Sequence, residues 1–148
     1  MNGSMLLPRQ GRRLLQVGAA LLLFSALEGF AIPYLGAPNL ALSAHKLSAF
    51  QGVLFLALGL VWTTHLSLDA TASRIAFWLL VYSGLAILAA YVMGAIWGAG
   101  NETMPLAGGA AHGSASKEML IKVIAYSSAS GLISFWLIFW GLRIKAVR

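Results

Sequence analysis

Four long apolar stretches constrain this chain more than any other feature of its sequence. A helix needs about 20 apolar residues to cross a bilayer, and such stretches run over residues 14–32, 44–65, 75–97 and 119–142. Apolar residues fall in blocks instead of alternating, which favours helices over a β-barrel. Only 9% of the 148 residues are charged, whereas soluble domains carry about 25%. We therefore predict one all-α domain, an integral membrane four-helix bundle.

The cations are concentrated at the two ends of the chain and in one short loop. Seven of the ten lysines and arginines lie there: Arg9, Arg12, Arg13, Arg74, Arg143, Lys145 and Arg148, whereas Lys46, Lys117 and Lys122 lie on the other side. Because four spans bring both termini to one side, the positive-inside rule predicts cytoplasmic N and C termini in a bacterial-type inner membrane. Loops 33–44 and 98–118 then face outward. The net charge of +6 is explained by contact with membrane lipid, and no nucleic acid partner is predicted.

Several chemistries are excluded by what the sequence lacks. The chain has no cysteine, which rules out disulfides, thiolate catalysis and covalently attached haem. It carries no dinucleotide-binding fingerprint and no carboxylate cluster for metal. Neither broken helices nor inverted repeats, which are typical of transporters, are visible in the sequence. A non-covalent cofactor remains compatible with it.

Polar side chains inside the spans are the candidate functional residues, because lipid penalises them. Glu28 lies roughly 6 Å below the outer end of the first span, and Gln51 and Tyr91 lie roughly 9 Å below theirs, at 1.5 Å per residue. His45 stands above them, at the mouth of the second span. This layering predicts a polar pocket in the outer half of the bundle.

Each of these residues also has a structural interpretation. Gln51 and Tyr91 would hydrogen-bond neighbouring helices, at about 0.6 kcal/mol each. Glu28 would pair with Lys46 or Lys122. His45 shares a helix face with Gly52 and Gly59, which either permit close helix packing or leave room for a flat ligand beside the imidazole.

Two segments resemble the hydroxylaminobenzene mutases, membrane enzymes that convert arylhydroxylamines into aminophenols. The first is Leu42-Ser43-Ala44-His45, running on to Gln51-Gly52. The second runs over residues 97–107 (WGAGNETMPLA) and continues to Gly113-Ser114-Ala115 and Glu118. The likeness covers nearly the whole chain in order. The second segment is the more specific, since helix packing demands no such string.

A more distant resemblance is to styrene oxide isomerase, another four-helix membrane isomerase. That family has Ala-His followed by Asn-Gly, which matches Ala44-His45 and Gln51-Gly52 here, with Gln51 in place of Asn. The resemblance implies that His45 is the axial iron ligand of haem b. It also implies a homotrimer with the haem between subunits, and it places the pocket tyrosine near Tyr91.

The resemblances imply an isomerase that rearranges a small aromatic substrate without net redox change. Tyr91 and Gln51 are then the catalytic candidates, while Asn101 and Glu28 are candidates for substrate binding. Ferric haem would act as the Lewis acid, or a protonated Glu28 would supply the acid if no haem is bound. An epoxide isomerase and a non-enzymatic or haem-carrying membrane subunit are the alternatives.

Overall fold

The structure is a computed structural model that describes residues 6–105 and 113–143. Lys145, Arg148 and residues 106–112 of the long loop lie outside the described residues. Four spans are long and apolar enough to cross a membrane, the last composed of two helices. The helices are α1 (Leu6–Ala31), α2 (Pro38–Thr64), α3 (Ala70–Trp97), α4 (Ala115–Ser127) and α5 (Gly131–Gly141). The described residues contain no strand, so the all-helical, four-span fold class is confirmed.

The helices extend past the predicted apolar stretches. Helix α1 begins at Leu6 instead of residue 14, and α2 begins at Pro38 instead of residue 44. Hydropathy marks only the part of a helix that lies in hydrocarbon, and proline is favoured in a first helical turn. Helix α3 begins after Asp69, whose Oδ1 accepts a hydrogen bond from the Ala72 amide at 2.8 Å. It ends at Gly98, whose φ of 61° suits glycine.

Helices α1 and α2 pack against each other through two pairs of glycines. A Cβ atom on Gly18 would lie 2.7 Å from the carbonyl oxygen of Gly52, and one on Gly11 would lie 2.9 Å from that of Gly59. The pairs are seven residues apart on each helix, so they recur on one face every two turns. Gly52 and Gly59 therefore permit the close approach of the two helix backbones.

The fourth span is interrupted near its middle. A short 3-10 turn, Ser128–Ser130, separates α4 from α5. Beyond it, Gly131 packs so closely on α3 that an added Cβ would lie 2.5 Å from Oγ of Ser83. Ser134 donates a hydrogen bond to the Ala76 carbonyl at 2.6 Å. Residues 115–141 still form one span, as predicted for residues 119–142, but the interruption within it was not predicted, because serines leave no breaker signal as strong as proline.

The bundle has two ends, named here by what they carry. The arginine end holds the start of α1 and of α3, with Arg9, Arg13 and Arg74. The loop end holds residues 98–105, which fold back onto the helices and bury Met104 among Leu40, Ala95 and Ile121. The larger core cluster lies between the ends, around Phe55, Trp62, Phe77 and Leu80.

Candidate active site

The imidazole of His45 lies between α1 and α2. Its Nδ1 is 2.9 Å from the Ser25 carbonyl oxygen and 3.2 Å from Ser25 Oγ. Ser25 lies seven residues after Gly18, and His45 lies seven before Gly52. Ser25 and His45 therefore face each other two helical turns beyond the Gly18–Gly52 pair, on the same α1–α2 interface. Sequence reasoning overlooked Ser25, although the matched seven-residue spacing on the two helices was a usable signal.

The contact with the Ser25 carbonyl shows which nitrogen of this ring carries a proton. A backbone carbonyl only accepts hydrogen bonds, so Nδ1 must donate its proton to Ser25. In the neutral imidazole Nε2 then carries a lone pair. Every hydrogen bond of the ring to a described residue passes through Nδ1. Histidines that ligate metals are commonly held in this way, by a carbonyl on the other ring nitrogen.

Two hydroxyl groups also hold the backbone at His45. Ser25 Oγ donates to the His45 carbonyl at 3.0 Å, and Ser48 Oγ donates to the same oxygen at 2.9 Å. Ser48 is fully buried. The backbone of α2 is thus tied to α1 at the level where the imidazole lies.

Glu28 is buried one turn from Ser25, on the loop-end side. Neither carboxylate oxygen has a hydrogen-bond partner, and the carboxylate is close enough to His45 for electrostatic interaction. Lys46 and Lys122 are both exposed and form no ion pair with it. The expected pairing of Glu28 with either lysine is therefore wrong. Its carboxylate is buried inside the bundle near the His45 imidazole, whereas both lysine side chains are exposed.

The predicted single polar layer does not form among the described residues. From the α1–α2 pairing, Glu28 is level with residue 42, and the Ala37–Ala95 backbone bond places Tyr91 within one turn of that level. His45 lies about 5 Å deeper, and Gln51 about 9 Å deeper again, at 1.5 Å per residue. His45 was expected above these residues, at the mouth of the second span. It lies deeper than Glu28 because α2 begins seven residues before it.

Gln51 faces a separate cleft near the middle of α2. The cleft has a volume of about 450 Å³ and lies between α2, α3 and the α4–α5 junction. Gln51 is buried, and its Oε1 has no hydrogen-bond partner. An amide oxygen without a partner in an apolar environment is costly, so it is suited to receive a hydrogen bond from a ligand.

The remaining cleft wall is almost entirely apolar. Aromatic rings come from Phe50, Phe55 and Phe135, and the polar exceptions include Ser83 and Ser128. The interruption of the fourth span borders this space, since Ser128 and Ala129 of the 3-10 turn and the adjacent Gly131 lie on its wall. Sequence reasoning did not identify these serine and glycine residues as lining a site.

Tyr91 and Asn101 lie outside this cleft. Tyr91 is half-buried and packs against both core clusters, and among the described residues its hydroxyl has no hydrogen-bond partner. Asn101 is half-buried in the loop over the loop end. That loop is held by Glu118, whose Oε1 accepts the Gly100 amide at 2.6 Å. The structure thus brings Glu28, His45 and Tyr91 toward one end and places Gln51 deeper.

The described residues contain no group of three or more metal-binding side chains. A metal bound by protein side chains alone typically requires three or four ligands. A single imidazole suffices for haem iron, because the porphyrin supplies the other in-plane ligands. If the chain holds a metal within its described part, the donor set fits a porphyrin with His45 as the protein ligand.

Comparison with known proteins gives consistent matches along the chain. The family model described as styrene oxide isomerase matches residues 10–143. The chain is 41% identical over 138 residues to hydroxylaminobenzene mutase HabB of Ectopseudomonas oleovorans, covering 93% of this chain and 84% of the relative. It is 28% identical over 110 residues to hydroxylaminobenzene mutase HabA of the same organism, covering 74% and 81%. No solved structure matches it.

These relatives are enzymes, and the similarity extends over nearly the whole chain. The alternative of a non-enzymatic membrane subunit is therefore rejected. The chain belongs to the styrene oxide isomerase family and is a multi-pass membrane isomerase.

Proposed function

We propose that this isomerase converts hydroxylaminobenzene, or a close arylhydroxylamine, into an aminophenol. The relative HabB is named for a hydroxylaminobenzene mutase activity. The observation that carries the proposal is the buried Gln51 amide, unpartnered at Oε1, on the wall of the apolar cleft. Pockets for small molecules commonly have volumes of about 300–1,000 Å³ and a few polar groups in an apolar wall.

The cleft suits the two parts of such a substrate. An aromatic ring would pack against Phe50, Phe55 and Phe135, which line the cleft. The Gln51 Oε1 would accept a hydrogen bond from the N–H or O–H of the hydroxylamine. This single contact would orient the polar group while apolar contacts hold the ring.

The rearrangement breaks the N–O bond and one ring C–H bond and forms a C–O bond and an N–H bond, so the proton lost from the ring balances the one gained by nitrogen and there is no net oxidation or reduction. As the hydroxyl leaves, positive charge develops on nitrogen and the ring. An apolar wall limits the access of bulk water, so the reactive cation is retained until oxygen adds to the ring. The Gln51 carbonyl dipole would favour positive charge on the adjacent nitrogen.

We also propose that His45 holds haem b, as the resemblance implies. The support is the fixed tautomer, in which Nδ1 donates to Ser25 and Nε2 keeps a lone pair. Ferric haem bound there supplies a Lewis acid for the departing oxygen. Glu28, buried beside His45, would supply a proton in its place if no haem is bound.

The positions of His45 and Gln51 support a homo-oligomer. His45 is not part of the cleft wall, and its ring faces α1 instead of α3. A site shared between subunits would bring the His45 of one copy toward the cleft of its neighbour. The resemblance implies a trimer, and cross-linking of the detergent-purified protein tests that number.

Tyr91 keeps its proposed catalytic role and Asn101 its proposed role in substrate binding, but toward the cleft of a neighbouring subunit, because both lie outside the cleft of their own. Tyr91 lies within about one turn of the His45 level, and Asn101 lies in the loop at the loop end. Tyr91→Phe should lower kcat several-fold without loss of bound haem. Wild-type rates in that variant would remove Tyr91 from the mechanism.

The membrane location follows from the same reasoning. We propose a bacterial inner membrane, because HabB and HabA are bacterial. The arginine end then faces the cytoplasm, with both termini, by the positive-inside rule. Labelling of single cysteines introduced at the two ends, from one side of sealed vesicles, measures this orientation.

The matched variants Gln51→Leu and Gln16→Leu test the site. Gln16 is exposed on α1, so its replacement changes the same chemistry away from the cleft. We expect Gln51→Leu to lower kcat/KM for hydroxylaminobenzene by about tenfold, because the loss of one hydrogen bond of about 1.4 kcal/mol corresponds to that factor. Gln16→Leu should leave kcat/KM unchanged. Equal rates in the two variants would contradict the proposed site.

Absorption spectra test the haem proposal separately. Purified protein should show a Soret band that is absent in His45→Ala and retained in His65→Ala, because His65 is exposed at the end of α2. A colourless but active preparation would overturn the haem proposal and direct attention to Glu28.

Styrene oxide is the second candidate substrate, because the matching family model carries that description. Opening of an epoxide also leaves an oxygen anion and a cation at a benzylic carbon. Gln51 is one methylene longer than the asparagine of that family. Its amide would therefore meet the polar group of the substrate at a different position, which favours a substrate other than styrene oxide. Turnover of styrene oxide without turnover of hydroxylaminobenzene would favour this candidate.

A further inference from the structure

A small pocket at the arginine end is lined by three arginine residues. Its volume is about 150 Å³, and Arg9 and Arg13 of α1 and Arg74 of α3 lie on its wall. Arg9 and Arg13 are four residues apart, so they share one face of α1. Two helices thus bring three arginines to the wall of one small pocket.

No acidic side chain of the chain neutralises these arginines. The sequence has four acidic residues in total. Asp69 accepts the Ala72 amide, Glu118 accepts the Gly100 amide, and Glu28 is buried without a partner. The fourth, Glu102, is exposed in the loop at the opposite end. Among the described residues, the three arginines therefore make no ion pair and are available to an external anion.

The pocket continues into an apolar groove along α3. The groove has a volume of about 310 Å³ and is lined by Arg74, Ile75, Trp78 and Leu79. Arg74 and Trp78 belong to both the pocket and the groove. Trp78 is 60% exposed, and tryptophan favours the boundary between headgroups and hydrocarbon.

We propose that the pocket and groove together bind one anionic phospholipid. The phosphate would lie among Arg9, Arg13 and Arg74, since guanidinium groups match phosphate oxygens with paired N–H donors. An acyl chain would lie along Ile75, Trp78 and Leu79. A lipid of net negative charge is favoured over a zwitterionic lipid, because the pocket supplies three cations and no acidic side chain.

Native mass spectrometry of the delipidated protein tests this assignment. The protein would be titrated in detergent with phosphatidylglycerol, with phosphatidylcholine of the same chains, and with inorganic phosphate. We expect phosphatidylglycerol to bind most tightly and to raise the thermal unfolding midpoint. Arg74→Gln should weaken the binding of phosphatidylglycerol about fivefold, because it removes the attraction of one arginine to an anionic lipid.

Arg12→Gln is the matched control. It removes the same charge from α1, but Arg12 is exposed and does not line the pocket, so its effect should be less than twofold. Equal losses in the two variants, or equal binding of the two lipids, would overturn the proposal. Stabilisation by inorganic phosphate as large as that by phosphatidylglycerol would also overturn it and indicate a simple anion site. Arg13→Gln replaces Arg74→Gln if that variant does not fold.

Discussion

Substitution of Gly18 by alanine should separate α1 from α2 and release the His45 ring. The new Cβ would lie 2.7 Å from the Gly52 carbonyl oxygen and 2.9 Å from the Leu56 amide nitrogen. Both are backbone atoms, so no side-chain rotation relieves the contact. An ordinary contact begins near 3.4 Å, which requires α1 to move outward by about 0.7 Å.

The consequence for His45 follows from the same displacement. Ser25 is seven residues from Gly18 on the same face of α1, and its carbonyl oxygen is 2.9 Å from Nδ1 of His45. A rigid shift of α1 would lengthen this distance to about 3.6 Å, beyond the usual range of hydrogen bonds. The imidazole would then no longer be held with its proton on Nδ1.

The stability change combines two opposed effects. Replacing glycine by alanine inside a helix is favourable by about 1 kcal/mol, whereas overpacking of a tight interface costs about 1–3 kcal/mol. We expect a net destabilisation of up to about 2 kcal/mol from these two principles. Ala20→Val is the control, because Ala20 is exposed on the same helix.

Two measurements test this prediction. Thermal unfolding in detergent should show a lower midpoint for Gly18→Ala than for Ala20→Val. Nitrogen-15 NMR of histidine side chains in the haem-free protein should show a proton on Nδ1 of His45 in the wild type and a proton shared between the two ring nitrogens in Gly18→Ala. Wild-type stability together with an unchanged tautomer in Gly18→Ala would refute the reasoning that glycine packing holds the imidazole.

Two further substitutions test the loop end and the interrupted span. Glu118→Ala removes the acceptor of the Gly100 amide, so hydrogen exchange at that amide should accelerate. Glu118→Gln, which keeps an acceptor oxygen, should exchange at nearly the wild-type rate, and equal acceleration in both variants would contradict this role. Gly131→Ala should lower stability by about 1–3 kcal/mol, because its Cβ would lie 2.5 Å from Ser83 Oγ. An unchanged unfolding midpoint would show that the contact is relieved at no cost.

The fold class was predictable because bilayer thickness sets the length of each apolar stretch. Four stretches of sufficient length predict four spanning helices, and the structure has four. Helix ends were less predictable, since α1 and α2 begin before the apolar stretches and their first turns carry polar residues or proline. The predicted orientation of the termini stays a prediction.

The sequence identified polar residues within the spans as candidates, but it did not predict how the fold arranges them. Glu28, Gln51 and Tyr91 were identified because lipid penalises polar groups, but their relative depths depend on how the helices pair. The Gly18–Gly52 contact sets that pairing and places Gln51 deeper than the other two. Part of the cleft wall comes from a serine-rich interruption of the fourth span, which hydropathy does not register.

Conversion of hydroxylaminobenzene by the purified wild-type protein is the most direct test of the proposed activity. The protein, reconstituted in vesicles without added oxidant or reductant, would be incubated with hydroxylaminobenzene, and the products would be separated by chromatography. We expect aminophenol in amounts equal to the substrate consumed, at a rate proportional to protein. No aminophenol beyond that formed in protein-free vesicles would contradict the proposed reaction.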